Sequence, residues 1–308
     1  MARPDPAALV ADGARVSDAG WPALDVRIGI SGWTYAPWRR VFYPVGLPQR
    51  LELEFAARRL SSIEINGSFY SLQHKDSWAR WYDATPAGFV FAVKGPRFVT
   101  HLKKLRDVET PLANFFASGV LALGDKLGPV LWQLPPNLGF NPDVLGAFLD
   151  LLPRTTDAAA DLATRHDERM EGRALTTAPV SRPIRHAMEI RHHTFRDPAF
   201  VQLLRERDVA LVRADTGGRF PELDDVTSDF AYLRLHGAEE LYTSGYDAAS
   251  LDAWAARIRT LRAGGTPTDG VRLARAAPRR HRDVFVYFDN DVKVRAPFDA
   301  LALTDRLA

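Results

Sequence analysis

The sequence predicts an α/β protein with a single TIM-type (β/α)8 barrel. Eight short runs of β-branched and aromatic residues are each bounded by Gly, Pro, Asn or Asp, helix-like segments lie between them, and the alternation fills roughly the 250 residues such a fold takes. With 46% hydrophobic and 25% charged residues in 308, the chain can bury a large core. The rival architecture, a doubly wound open sheet, requires a G-x-G-x-x-G turn after an early strand. Here Gly29 and Gly32 flank a serine and run into Trp33-Thr34-Tyr35, so that fingerprint is absent.

Residues 1–25, rich in Ala, Asp, Gly and Pro without a sustained period, predict a flexible or loosely docked arm, and residues 26–308 predict the barrel domain. The first four strands are VRIGI from Val26, SIEIN from Ser62, FVFAV from Phe89 and PVLWQL from Pro129. The last four are HAMEIR from His186, ALVRAD from Ala210, FAYLRLHG from Phe230 and VFVYFDN from Val284. Apolar residues at helical spacing predict helices over Pro48 to Leu60, Pro111 to Leu123, Asp143 to Leu152, Pro198 to Arg207, Ser250 to Leu261 and Pro297 to Leu307. Arg154 to Pro183 predicts a polar helix around RHDERMEGR followed by an inserted loop, and the basic, aperiodic stretch from Gly264 to Arg282 predicts a solvated connection.

Composition excludes several functions. The 40 Lys+Arg against 38 Asp+Glu leave a net charge of +2, so nucleic acid is a partner that the charge balance does not favour. The absence of cysteine removes disulfides, thiolate zinc sites, iron–sulfur clusters and cysteine nucleophiles. No apolar run approaches the roughly 18 residues of a membrane span and the first residues hold no signal-like apolar block, so the expectation is a soluble cytoplasmic protein without a membrane partner.

In a barrel, alternate strand residues point inward and strand ends feed the ligand site at the C-terminal mouth. Polar pairs at spacing two therefore share one destination: Glu64 with Asn66, Glu189 with Arg191, Arg213 with Asp215, and Arg234 with His236. Between and before them Ile63, Ile65, Met188, Ile190, Val212, Leu233 and Leu235 supply the face that packs under the helices. Ser31 and Trp33, Lys94, Gln133, and Asp289-Asn290 add polar or aromatic groups from other strands. At the ends of strands two to seven the cations Lys94, Arg191, Arg213 and Arg234 exceed the anions Glu64, Glu189 and Asp215 by one. That balance favours an anionic ligand, a phosphate or carboxylate gripped by the arginine fork. On the neighbouring strands five to seven, Glu189, Arg213, Asp215 and Arg234 could instead neutralise one another as a salt-bridged plug, although a barrel needing only closure would use branched aliphatics there.

His236 is the candidate for proton transfer, and Glu64 and Glu189 form the candidate acid/base pair. A metal site is disfavoured because these acids alternate with arginines and no H-x-H or H-E-x-x-H spacing occurs; nothing calls for a cofactor. Trp33, Tyr35, Trp38, Phe42, Tyr43, Phe69 and Tyr70 crowd the first two loops, where they could stack a sugar or nucleobase or pack as a lid on the rim. The loop around Tyr242 and Tyr246 is a candidate cover, with Gly237 and Gly245 as permissive backbone points.

Seven ordered blocks, GISGWTYAPWRRVFYP, SIEINGSFY, KGPRFVTH, LWQLPP, MEIRHHTF, YLRLHG and VYFDNDVKVRAPFDA, resemble the YecE-like proteins, the family catalogued as domain of unknown function 72. The resemblance covers about residues 26–308. It implies a TIM-type barrel with polar groups gathered at one end, and no established reaction. The motif positions it marks are Ser31, Trp33, Tyr35, Trp38, Glu64, Asn66, Phe69, Tyr70, Lys94, Thr100, His101, Gln133, Glu189, Arg191, Arg234, His236 and Asn290. Where many relatives resemble F-N-N-H, this chain has Phe288-Asp289-Asn290-Asp291, so a role needing histidine at 291 does not carry over.

The first functional expectation is an enzyme, a hydrolase or lyase, acting without metal on a small anionic or nucleotide-like substrate. Glu189 or Glu64 serves as base, His236 as partner acid, and Arg191, Arg234 and Lys94 as the anion clamp. Substrate contacts are assigned to Ser31, Trp33, Tyr35, Asn66, Tyr70, Lys94, Gln133, Arg191, Arg213, Asp215, Arg234 and Asn290. The alternatives are a non-catalytic nucleic-acid-binding protein, using the basic stretch from Arg272 to Arg282 with Lys103, Lys104 and Arg106, and a sensor of small anionic metabolites.

Overall fold

The computed structural model describes residues 5–16, 20–237 and 244–308. Eight strands, β1 (Val26–Ser31), β2 (Ser62–Ile65), β3 (Val90–Lys94), β4 (Leu127–Gln133), β5 (His186–Glu189), β6 (Ala210–Asp215), β7 (Phe230–Leu235) and β8 (Asp283–Phe288), close into one barrel in sequence order. Every neighbouring pair is parallel, and β8 closes the ring on β1 with Val26 opposite Val284 and Ile30 opposite Phe288. The TIM-type barrel expected from the alternation is the observed fold.

Ten α-helices occur among the described residues: α1 (Pro6–Ala11), α2 (Glu52–Ala57), α3 (Gly67–Tyr70), α4 (Lys75–Asp83), α5 (Glu109–Ala117), α6 (Pro142–Leu151), α7 (Thr156–Ala163), α8 (Pro198–Glu206), α9 (Ala248–Arg262) and α10 (Ala296–Leu307). Their starts follow local chemistry. Asn141 and Asp197 accept hydrogen bonds from Val144 and Ala199 backbone N–H groups ahead of Pro142 and Pro198, and Asp247 does the same for Ser250. Apolar residues divide between two faces of the barrel wall. Ile30, Ile63, Ile65, Val93, Trp132, Met188, Leu233 and Val286 join the core under the helices, whereas Ala92, Leu131, Ala187, Val212, Ala214, Tyr232, Phe285 and Tyr287 fill the interior.

Four features differ from the sequence expectation. No helix links β6 to β7: residues 216–229 run irregularly, and Thr227 Oγ1 joins the wall by accepting from Leu211 N and donating to Val209 O. The stretch 264–282, expected as a solvated connection, straps this segment, with the Asp225 carboxylate accepting from Leu273 and Ala274 N–H groups. The helix of the 154–183 insertion is α7, and RHDERMEGR holds only a single 3-10 turn, Glu168–Met170, because the Ala-rich run after the Thr155 cap is the better helix former. Finally, α3, α4 and a π-helical turn over Phe98–Leu102 were not anticipated, the sequence there lacking a long apolar period.

The segment ahead of β1 contacts the barrel. Val10 is buried, Arg59 donates to its carbonyl, and the Trp21 indole donates to Ala57 O. Of the candidate cover, Tyr242 lies outside the described residues. Tyr246 is buried, its hydroxyl accepting from Gly237 N and donating to Asp215.

Candidate functional site

Arg234, near the end of β7, is the hub of the barrel's C-terminal interior. Its Nε and Nη2 donate to Glu64 Oε2 and Oε1 at 3.1 and 2.9 Å, Nη1 donates to Glu189 Oε2 at 2.7 Å, and Nη2 also reaches Asp289 Oδ2 at 2.8 Å. Arg234, Glu64 and Glu189 have at most 1% of their side chains exposed. In this low-dielectric setting each charge is stable only because its partners are in place.

The two glutamates are heavily committed. Glu64 also accepts from Tyr232 Oη at 2.6 Å and Ser31 Oγ at 3.2 Å, and Glu189 from Gln133 Nε2 at 2.8 Å and Arg191 Nε at 3.0 Å. Burial pushes the Glu189 carboxyl up, but Arg234, then Arg191, His236 and Lys94, pull harder and hold it well below the usual carboxylate range. Both groups are anchors for Arg234, their oxygens already occupied by these donors.

Lys94, the last residue of β3, is held differently. Its ammonium lies 4.4 Å over the Phe69 ring, the residue is 8% exposed, and Nζ has no hydrogen bond or ion pair to any described residue. Burial, reinforced by the Arg234 cation, brings its pKa down to about 8, despite the opposing pull of Glu64, Asp289 and Glu189. The turn after it is tight: a Cβ on Gly95 would lie 2.4 Å from the Trp132 ring. The π-helical turn that follows carries His101, whose pKa falls to about 4 through burial and the nearby Lys94 and Arg191 cations. Lys94 and Arg191 thus form the positive side of the mouth, with His101 as a neutral neighbour.

On the opposite side stand Asp289 and Asp291. Burial and the Asp289 charge raise the Asp291 carboxyl well above the usual carboxylate range. His236 Nε2 sits 3.0 Å from Arg234 Nη1 and 3.3 Å from Asp289. The Arg234 contact suits a bare Nε2 and the Asp289 contact a protonated one, so the two neighbours pull the ring towards opposite tautomers. Burial, then Arg234, lowers the His236 pKa, which keeps the ring neutral.

Several candidate residues do not join this group. Arg213 points outward, pairing with Glu222 and Asp224 and lying over Trp254, because β6 turns Val212 and Ala214 inward. Asp215 binds Tyr246 instead. Asn290 also faces away, donating to Ser244 O and Asp299, while its neighbour Asp289 faces in. Losing Arg213 and Asp215 together leaves the cation excess at one, and it is Asp289, from the end of β8, that balances it: Lys94, Arg191 and Arg234 meet Glu64, Glu189 and Asp289, three against three.

The aromatics mostly pack on the rim. Trp33 sits edge-on against Trp81, and Tyr35 stacks near Trp38 and donates to Ser31 O. Tyr70, 71% exposed, borders a cavity of about 490 Å³ with Phe69, Arg97 and Phe98. Asn66 follows β2 with its buried Oδ1 unbonded among the described residues. Sequence reasoning missed Tyr232 as a site residue, since a strand tyrosine reads as core, and gave Asp289 no contact. His101 carried only a motif signal.

A closed barrel with an ion-paired floor and an uncommitted lysine at its C-terminal mouth defines the class. The family model for "Protein of unknown function DUF72" matches residues 27–308, and the chain belongs to that family, the same one as the YecE-like proteins. It is similar to the crystal structure of a DUF72 family protein from Thermotoga maritima, with 22% identity, 92% of this chain and 98% of that chain covered, and a TM-score of 0.67. A DUF72 family protein from Enterococcus faecalis is similar at 16% identity, with 92% and 95% covered and a TM-score of 0.64. At such identities the likeness concerns the fold alone. No curated protein matches. No helix among the described residues is long and apolar enough to cross a membrane.

Proposed function

We propose that this barrel is an enzyme acting on a small anionic substrate, phosphate- or carboxylate-bearing or nucleotide-like, by acid/base chemistry at its C-terminal mouth. Lys94 carries the reading. A buried ammonium without a partner costs several kcal/mol, and this protein gives its structural lysine partners: Lys126 Nζ donates to Tyr82 O and Thr85 O at 2.6 Å and to Thr85 Oγ1 at 3.1 Å. Lys94 is left without such bonds, which suits a group whose partner is the substrate.

In this reading the base role moves from the glutamates to Lys94, whose amine form is within reach near neutral pH. Glu64 and Glu189 hold Arg234 in place, Arg191 meets the anionic end, and Lys94, once it has taken up the proton, is the acid that returns it, with neutral His236 hydrogen-bonding beside Arg234. Hydrolysis and elimination both run on such a set. Thermal unfolding with phosphate, sulfate and small carboxylates tests it. A rise in Tm that is lost in Lys94→Met and Arg191→Met supports the reading, and no response to any anion sinks it. Stabilisation without turnover of any anion would favour the sensor.

A further inference from the structure

We infer that the substrate carries a carbonyl group beside its anionic group and that Lys94 joins it covalently as an imine; this rests on the reading of the mouth as an anion site. Three placements support it. The Lys94 nitrogen ends β3 inside the mouth, with no hydrogen bond to a described residue to tie up its lone pair or its protons. Arg234 is clamped by Glu64, Glu189 and Asp289, so a fixed cation stands near the amine and disfavours its protonated form, an arrangement that favours a nucleophilic lysine. Arg191, which shares His101 as a neighbour with Lys94, supplies a guanidinium for a carboxylate adjacent to the carbonyl carbon.

The step balances without an oxidant. The amine nitrogen adds to the carbonyl carbon, the oxygen takes up a proton, and the carbinolamine loses water, so amine plus carbonyl gives imine plus one water. The protonated imine is a cation again. The Phe69 face and the carboxylates of Glu64, Asp289 and Glu189, which already favour a charged nitrogen at this position, receive it. At pH 8 a lysine titrating near 8 presents on the order of a hundredfold more amine than an ordinary one.

The experiment treats the intact protein with pyruvate or glyoxylate and sodium cyanoborohydride at pH 8, then maps the reduced adduct by peptide mass spectrometry among the six lysines. The inference expects a single dominant adduct on Lys94, its loss in Lys94→Arg, and little labelling by acetone, which lacks the anionic group. Adducts spread evenly over the lysines, or none, overturn it. In the wild-type protein, the same oxo acids raising Tm without any trapped adduct would leave the anion-site reading standing and remove the imine. Neither a Tm rise nor an adduct would remove both.

Discussion

Arg234 and Glu64 meet through two parallel contacts, Nε to Oε2 and Nη2 to Oε1, with both side chains wholly removed from solvent. Lysine cannot reproduce that fork. Arg234→Met strands Glu64 and Glu189 in the barrel interior and is expected to cost about 3–5 kcal/mol, read from urea unfolding. Arg234→Lys should recover little of it. A loss below about 1 kcal/mol, the range of exposed pairs, would mean that the network is not what holds the floor.

Lys94 should act in the opposite sense. Its folded pKa of about 8 lies below the unfolded value of about 10.4, so between them the unfolded chain binds more protons and stability rises with pH. Below pH 8 the full cost is present, about 3 kcal/mol. Lys94→Met is therefore expected to be more stable than the wild type at pH 7, with the advantage shrinking towards pH 10. Paired urea titrations at the two pH values check this; a variant less stable at pH 7 would contradict it.

Arg213 provides the control. It faces Glu222 and Asp224 outside the barrel wall, at 15% side-chain exposure. Arg213→Met should leave anion-induced changes in Tm at wild-type size while lowering basal stability by about 1 kcal/mol, as for a partly exposed pair. If the anion response disappears, the outward placement is not what matters in solution.

Gly95 tests how the lysine is positioned. A Cβ there collides with the Trp132 ring, and overpacking of this kind costs about 1–3 kcal/mol. Because the collision sits one residue beyond Lys94, Gly95→Ala should also weaken anion binding by calorimetry. Wild-type stability and affinity together would show that the turn has slack.

The barrel was legible because Gly, Pro, Asn and Asp punctuate each strand, and alternation placed Glu64, Glu189, Arg234 and His236 on one face. Alternation separates two faces but does not say which is inside. At β6 the outer face is covered by the polar segment 216–229 in place of an apolar helix, so Arg213 could face out against Glu222 and Asp224. Asn290 was misplaced by one step beyond the end of β8. Tyr232 was hidden because a tyrosine inside a barrel and one under a helix look alike in sequence. The lone state of Lys94 was not readable at all, since it depends on what Arg234 has already been given.

The most direct measurement is the pH titration of the Lys94 ε-carbon by NMR in protein labelled with 13C-lysine, assigned by the signal missing in Lys94→Arg; with six lysines the spectrum is sparse. A midpoint near 8 is the predicted result. A midpoint at or above the ordinary value of about 10.4 would show an ammonium with a permanent partner, and would contradict the account.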